Sequence, residues 1–299
     1  MTKAHRLAAL LPSVLLVGVS GAALFAQAQQ RSLFVSVLDQ QGAPVATVSP
    51  ADLTVREDRV QREILRVAPS DEPMQIALLV DNSQAAESLI RDLRQALPAF
   101  ISAVLADPDV RGKHQISIVT MAERPTINTA YSSDESQLLE GGGRIFSMSN
   151  SGAYMLDAIT EASEGIAKRG PARPVIVVVT TEGPELSYRQ YQQVLRALKG
   201  SGAQLHVISV GSPANQSNDR NIVISQGPRD SGGSYDNILT GMALTGRLTQ
   251  LAAELTGQFR VTYARPQTLI PPETVTVSAA KPGLTVRGTP AVEPLAKRP

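Results

Sequence analysis

Four continuous apolar runs mark the middle of the chain, and helical patterns lie between them. The runs occupy residues 76–80, 116–121, 175–179 and 205–210. Apolar residues recur every three or four positions, as in amphipathic helices, at residues 85–105, 155–167, 188–199 and 242–255. Strands that are apolar along their whole length are typical of a parallel sheet covered on both faces by crossover helices. The pattern therefore predicts an α/β domain with a doubly wound, mostly parallel sheet.

Shorter segments with strand character lie on both sides of this domain. Before it, the strand patterns occupy residues 32–38, 45–48, 53–55 and 64–67, and a polar, proline-bounded joint follows at residues 69–73. After it come a strand pattern at residues 259–264, three prolines, and two short β segments at residues 274–277 and 284–286. We therefore predict a small N-terminal β module at residues 29–70, the α/β domain at residues 71–265 and a β, proline-rich C-terminal tail at residues 266–299.

The first 28 residues have the features of a secretory signal peptide. A positive start with Lys3 and Arg6 precedes an apolar run at residues 7–26, and Ala26-Gln27-Ala28 is a small-x-small cleavage site. We expect an exported protein, either periplasmic or secreted. An uncleaved membrane anchor is the alternative, because the run approaches the length of a spanning helix, although Pro12 and the small residues at 20–23 argue against it.

Composition excludes several classes of function. The formal net charge is +1, which argues against nucleic acid as a partner. The absence of Cys excludes disulfides, thiolate zinc sites, iron–sulfur clusters and cysteine nucleophiles, so any metal must be held by oxygen. The sequence contains no nucleophile elbow, phosphate-binding loop or zinc-protease helix, and His206 lies in an apolar run where a core histidine is expected. We therefore predict no enzymatic activity and no catalytic residue.

Polar residues with metal-binding chemistry follow two of the apolar runs. Asp81-Asn82-Ser83 comes directly after the first run, and Thr180-Thr181-Glu182-Gly183 follows the third. A loop at residues 149–153 precedes the helix that begins near Tyr154. Ligands of open parallel sheets bind at the carboxyl ends of the strands, where these residues are expected to meet. Their oxygens are suited to a hard divalent cation.

The run at residues 76–83 resembles the opening of a von Willebrand factor A (VWFA) domain, whose metal-ion-dependent adhesion site (MIDAS) begins Asp-x-Ser-x-Ser. Residues 152–159 and 177–183 resemble two further segments of that family. The N-terminal module, and the ending from residue 251 to residue 286, are similar to those of secreted bacterial relatives of the acidobacterial type. The resemblance covers nearly the whole chain after residue 28 and implies a Rossmann-like domain that binds partners at its upper rim.

The sequence departs from the family at the metal site. The resemblance implies Asp81, Ser83 and Glu182 as metal ligands, but Ala85 stands at the second serine, Ala153 at the threonine and Glu182 at the later aspartate. Alanine supplies no oxygen, and Mg²⁺ demands near-octahedral geometry. We expect a degenerate MIDAS that binds Mg²⁺ or Mn²⁺ weakly or not at all. Two alternatives remain: Ser149 or Ser151 replaces a missing hydroxyl, or Asp81 and Ser83 cap the following helix.

Residues 211–241 form a second candidate surface. This segment is rich in Ser, Asn and Gly and is longer than the connections of compact domains usually are. It predicts a long loop at the same rim, with Tyr235 and residues 222–224 as apolar contacts for a partner. A solvated insertion without a partner is the alternative.

These observations predict an exported binding protein of the adhesion type that recognises a protein or a surface polymer through the upper rim. Two alternatives stay open. The first is a hydrolase that uses Asp81 and Glu182 as an acid–base pair. The second is a structural subunit whose β tail pairs with another chain by strand addition.

Overall fold

The computed structural model describes residues 29–106, 110, 113–213, 217–267, 270 and 272–290. The predicted signal peptide, residues 1–28, lies outside the described residues. The strands are β1 (Gln29–Leu38), β2 (Leu53–Glu57), β3 (Val60–Arg62), β4 (Ile64–Pro69), β5 (Met74–Val80), β6 (Gln115–Thr120), β7 (Thr126–Ser132), β8 (Arg173–Thr181), β9 (Gln204–Val210), β10 (Tyr235–Ile238), β11 (Phe259–Arg265), β12 (Val275–Ala279) and β13 (Thr285–Pro290). The α-helices are α1 (Ile90–Leu105), α2 (Glu135–Gly143), α3 (Met155–Arg169), α4 (Tyr191–Ser201), α5 (Asn218–Ser231) and α6 (Leu244–Thr256).

The predicted α/β domain is built on a six-stranded sheet of order β10-β9-β8-β5-β6-β7. Its strands pair in parallel except for β7, which runs antiparallel at one edge. Successive residues of β5 enter different cores: Ile76 and Leu78 pack with α1 and α6, whereas Ala77 and Leu79 pack with α3, α4 and α5. The doubly wound, mostly parallel fold is therefore confirmed, and its strands are apolar because both faces are covered.

The strand order places a topological switch point at β5. Strand β6 lies on one side of β5 and β8 on the other, so the chain leaves β5 in one direction and later returns on the opposite side. Ligand sites of such sheets lie outside the carboxyl ends of the strands at this point. The loop that carries Asp81 and Ser83 begins there.

The N-terminal module and the C-terminal tail form one structure rather than two. One sheet has the order β13-β1-β11-β4 and a second has the order β12-β2-β3, so each combines strands from both ends of the chain. Their shared core contains Leu33, Val35, Val55 and Val261. Strand β11, which we assigned to the α/β domain, belongs to this unit because it pairs with β1 and β4. The tail strands are thus paired within their own chain.

A buried polar network joins this β unit to the α/β domain. Arg173, at the start of β8, donates to the carbonyl oxygen of Leu255 at 2.8 Å and to Oε1 of Gln258 at 2.9 Å. Gln258 in turn donates to Ser36 of β1 and to Gln204 of β9. Since buried polar groups must be satisfied, this network specifies how the two parts pack.

The predicted long loop at residues 211–241 is wrong, because most of it is regular structure. Helix α5 fills its centre, with Ser217 as N-cap and Gly232 in the left-handed region (φ +77°) at its end, and β10 follows as an edge strand. Val223 and Ile224 are buried against the sheet, so they are not free to contact a partner. Tyr235 begins β10 and is partly exposed. In the described part of the chain, no helix has the length and apolar character needed to cross a membrane.

Candidate functional site

Asp81 is the fully buried residue that links the end of β5 to the end of β8. Its Oδ1 accepts a hydrogen bond from the backbone N–H of Ser83 at 2.9 Å. Its Oδ2 accepts from the backbone N–H of Thr181 at 3.0 Å and from the Thr181 hydroxyl at 2.6 Å. Three donors from the protein therefore surround this carboxylate, as a buried charge requires.

Ser83 lies beside Asp81 and is fully buried, but its hydroxyl has no hydrogen-bond partner. It precedes a 3-10 turn at Gln84–Leu89, and helix α1 begins only at Ile90. Neither Ser83 nor Asp81 caps that turn or α1 through its side chain. The helix-cap interpretation is therefore wrong, because the 3-10 turn separates both residues from the free N–H groups of α1.

Ala85 and Ala153 lie at the rim, and their side chains carry no oxygen atom that could bind a metal ion. Ala85 is exposed. It packs closely against Gly183, because a Cβ added to Gly183 would lie 2.3 Å from the Ala85 Cβ. Ala153 is buried and joins the loop after β8 through its backbone, since its N–H donates to Pro184 and its carbonyl accepts from Leu186. The hydroxyl of Ser151 donates to the carbonyl of Met148 at 2.7 Å. Ser151 is thus engaged in its own turn, and the alternative that Ser149 or Ser151 replaces a missing ligand stays a prediction.

Glu182 is paired with an arginine that the sequence did not point to. Nη1 of Arg220, in α5, lies 3.3 Å from Oε2 of Glu182, and Nη2 lies 3.3 Å from Oε1. The same Nη2 donates to the carbonyl oxygen of Thr181 at 3.0 Å, and the Ser209 hydroxyl donates to Glu182. Arg220 is only 2% exposed, and the Glu182 side chain is 9% exposed. The structure therefore gives Asp81 and Glu182 separate hydrogen-bond partners.

The family model for the von Willebrand factor type A domain matches residues 75–235, which is more than half of the chain. The protein belongs to the von Willebrand factor type A (VWA) family. Among curated proteins, none matches the sequence significantly.

Solved structures with the same fold are distant in sequence. A von Willebrand factor type A protein from Catenulispora acidiphila is 11% identical, with a TM-score of 0.50 over 89% of this chain and 75% of that one. Proximal thread matrix protein 1 of the mussel byssus, solved with a zinc-occupied MIDAS motif, is 15% identical, with a TM-score of 0.50 over 68% of this chain. This chain spans about half of the mussel protein's length, covering 49% of it. At these identities the likeness shows the VWA fold alone.

In this VWA domain the predicted ligands Asp81 and Ser83 lie together, whereas Glu182 forms an ion pair with Arg220. Among the described residues, no three His, Asp or Glu side chains are grouped so that they could hold a metal ion. The zinc-occupied relative shows that a MIDAS of this fold can hold a metal. The assignment of Asp81, Ser83 and Glu182 as ligands in this VWA domain stays a prediction.

A cleft of about 360 Å³ opens beside Glu182 on the VWA rim. The 3-10 turn contributes Leu89 to its lining and the first turn of α1 contributes Asp92, and residues 239–241 also line the cleft. Its described lining contains the acids Asp92 and Glu182 and no Lys or Arg. Because Arg220 balances the charge of Glu182, the negative charge of this cleft comes from Asp92.

The same rim exposes large apolar side chains on three loops. The loops after β8 and β10 begin at the carboxyl edge of the sheet, and the loop after α2 joins them there because the N–H of Met148 donates to the carbonyl of Asn82 in the loop after β5. Tyr188 is 87% exposed and Met242 84% exposed. The full set is Phe146, Met148, Leu186, Tyr188, Leu239 and Met242. Sequence reasoning missed these residues because single exposed apolar side chains in loops have no periodic pattern.

His206 lies in the core of the VWA domain, as predicted. It is fully buried in β9, and Nδ1 lies 3.0 Å from the Ser234 hydroxyl, whereas Nε2 has no partner. Burial, together with the positive charges of Arg287 and Arg247, lowers the pKa of His206 to about 3. The imidazole is therefore neutral at physiological pH and has no access to a substrate.

Proposed function

We propose that this protein is an exported binding module of the adhesion type, which recognises a protein or a surface polymer through the upper rim of its VWA domain. Its dependence on divalent metal is weak or absent. The observation that carries the proposal is the group of six exposed apolar side chains on three loops of one rim. Large apolar patches are uncommon on soluble monomers and mark interaction sites. Aromatic residues and Met are also enriched in the centres of protein interfaces.

Two of the loops that present these side chains are held in place before any partner arrives. Arg94 donates two hydrogen bonds to the carbonyl of Ile145, and its guanidinium lies 4.4 Å from the centre of the Phe146 ring. The rings of Tyr154 and Tyr188 lie 6.2 Å apart. Because a preorganised surface loses less conformational entropy on binding, this rim is suited to recognition.

The family and the site chemistry favour binding over catalysis. A relative with the same fold is a matrix protein of the mussel byssus, and a role in binding is in keeping with that example. Asp81 is enclosed by three donors, and Glu182 is paired with Arg220. Neither carboxylate is available as a general acid or base for a substrate, which argues against the hydrolase alternative.

The proposal is tested by comparing rim variants in binding to cell-envelope fractions and secreted polymers of the producing organism, immobilised on a sensor surface. The rim variant combines Phe146→Ser, Tyr188→Ser and Leu239→Ser. The control variant combines Val60→Ser and Leu65→Ser, which replace exposed apolar side chains on β3 and β4 of the β unit. We expect the rim variant to bind at least about ten-fold more weakly than wild type, a loss of ~1.4 kcal/mol.

The control variant should bind as wild type does, and EDTA should change binding by less than about two-fold, equivalent to ~0.4 kcal/mol. Equal binding by the rim variant and wild type would show that the partner surface lies elsewhere. Complete loss of binding in EDTA would instead show that recognition needs a metal ion.

A further inference from the structure

The oxygen atoms at the end of β5 and β8 do not fit a divalent cation. Both oxygens of Asp81 already accept hydrogen bonds from the protein, and Ala85 and Ala153 contribute no oxygen side chain. Glu182 is committed to Arg220 and Ser209. Among the described side chains at this end of the sheet, the hydroxyl of Ser83 is the one that is buried without a partner. Mg²⁺ keeps several waters but is usually held by one or two carboxylates, and both carboxylates at this site already have protein partners.

We infer that the guanidinium of Arg220 takes the place of the divalent cation as the positive charge that balances the acidic end of β8. Both of its terminal nitrogens face the two oxygens of Glu182, and one of them also donates to the carbonyl of Thr181. Arginine is suited to this role because its planar fork matches a carboxylate and it stays charged at all physiological pH values.

The position of Arg220 makes this charge a permanent part of the fold. It lies in the first turn of α5, where its N–H donates to the hydroxyl of the N-cap residue Ser217 at 3.2 Å. Helix α5 packs against β9, and the Ser209 hydroxyl of that strand lies 3.4 Å from Nη2 of Arg220. Folding of α5 therefore delivers the cation from within the chain, whereas a metal ion would have to be bound from solution.

This arrangement determines what the rim can offer to a partner. A metal ion in an open site can accept a carboxylate oxygen from a partner, because such an ion keeps coordination positions for external ligands. Arg220 is 2% exposed and already neutralised by Glu182, so it presents no free positive charge at the surface. An acidic group of a partner therefore gains nothing here. The role of Arg220 at this site does not depend on whether the rim binds the proposed partner.

The inference is tested by isothermal titration of Mn²⁺ into four forms of the purified protein. These are wild type, the hydroxyl variant Ala85→Ser/Ala153→Thr, the same variant with Arg220→Met, and the same variant with Arg229→Met. Arg229 is the matched control because it lies in α5 but is exposed and pairs with its neighbour Asp230. We expect no saturable binding at millimolar Mn²⁺ by wild type, the hydroxyl variant or the Arg229 control. The variant that lacks Arg220 should bind at least ten-fold more tightly than the hydroxyl variant.

Two results would overturn the inference. One is saturable Mn²⁺ binding by wild type, and the other is equal affinity of the hydroxyl variant with and without Arg220. If loss of Arg220 unfolds the protein, Mn²⁺ should restore a cooperative thermal transition, because a ligand of the native state stabilises that state. NaCl at the same ionic strength should not. Failure of Mn²⁺ to restore the transition would also contradict the role assigned to Arg220.

Discussion

His206 should make the protein less stable as the pH falls from 7 to 5. The folded chain holds the imidazole without access to water, and burial and two nearby arginines lower its pKa from 6.5 to about 3. In the unfolded chain the same group takes up a proton near its ordinary pKa of about 6.5. The unfolded state therefore binds more protons below that value. Stability is complete above the unfolded pKa and is lost as the pH falls below it.

The size of the effect follows from the two pKa values. At pH 5 the unfolded histidine is almost fully protonated and the folded one almost fully neutral, so the loss is about 1.36 kcal/mol for each pH unit below 6.5. Between pH 7 and pH 5 this amounts to about 2 kcal/mol of the free energy of unfolding. The figure hardly depends on the exact folded pKa, because pH 5 lies well above it.

The measurement is urea unfolding of wild type and His206→Asn at several pH values from 5 to 8. Asparagine is chosen because its amide can replace Nδ1 opposite the Ser234 hydroxyl without titrating. The stability difference between the two proteins isolates the histidine from other titrating groups. The control is Ile208→Val in the same strand, whose effect should not change with pH. If the difference between wild type and His206→Asn changes by less than about 0.5 kcal/mol between pH 7 and pH 5, the folded state protonates His206 and the reasoning is refuted.

Two further predictions concern the packing of the rim and of the sheet edge. Arg220→Met leaves the carboxylate of Glu182 buried without its partner and should destabilise the protein by ~3–5 kcal/mol in urea unfolding, and adding Glu182→Gln should recover part of that loss. Arg229→Met, at the exposed end of α5, should change the free energy of unfolding by no more than ~0.5 kcal/mol. If both variants lose the same stability, the buried Arg220–Glu182 pair does not stabilise the protein more than an exposed arginine does. Gly233→Ala should prevent correct pairing of β9 and β10, since the new Cβ would lie 1.9 Å from the Leu205 carbonyl oxygen, and amide exchange in β10 should then accelerate. Gly143→Ala, whose Cβ would meet nothing within 4 Å, should leave that exchange unchanged, and protection of β10 in both variants would refute the steric argument.

The α/β core could be predicted because its signal is continuous in the sequence. Each strand buried on both faces is an uninterrupted apolar run, as in Ile76, Leu78 and their neighbours in β5. Helix α5 could not be predicted in the same way, because Arg220 and other polar residues occupy much of it and only a few apolar residues, such as Val223 and Ile224, reach the core. Its burial depends on a tertiary ion pair that a local pattern does not show.

The pairing between strands from the two ends of the chain could not be predicted from the sequence, for a related reason. Strands β1 and β13 are neighbours in space but lie at opposite ends of the described chain, and β2 pairs with β12 across a similar separation. Alternating apolar residues predict that a strand exists, but they do not identify its partner. A module of about forty residues cannot bury a sufficient core alone, which is the physical reason that its partners come from the distant tail.

The presence of Asp81 and Ser83 is not by itself evidence for a metal site. Asp81 has a structural role that needs no ion, because its carboxylate joins the loop after β5 to Thr181 at the end of β8 through three hydrogen bonds. Replacing it with alanine would leave those buried donors unsatisfied and destabilise the rim even in a protein that binds no metal. A loss of partner binding in Asp81→Ala alone thus cannot distinguish ion-bridged from ion-free recognition. The comparison that does so is partner binding by wild type with and without EDTA, because chelation removes a bridging ion while Asp81 keeps the loop in place.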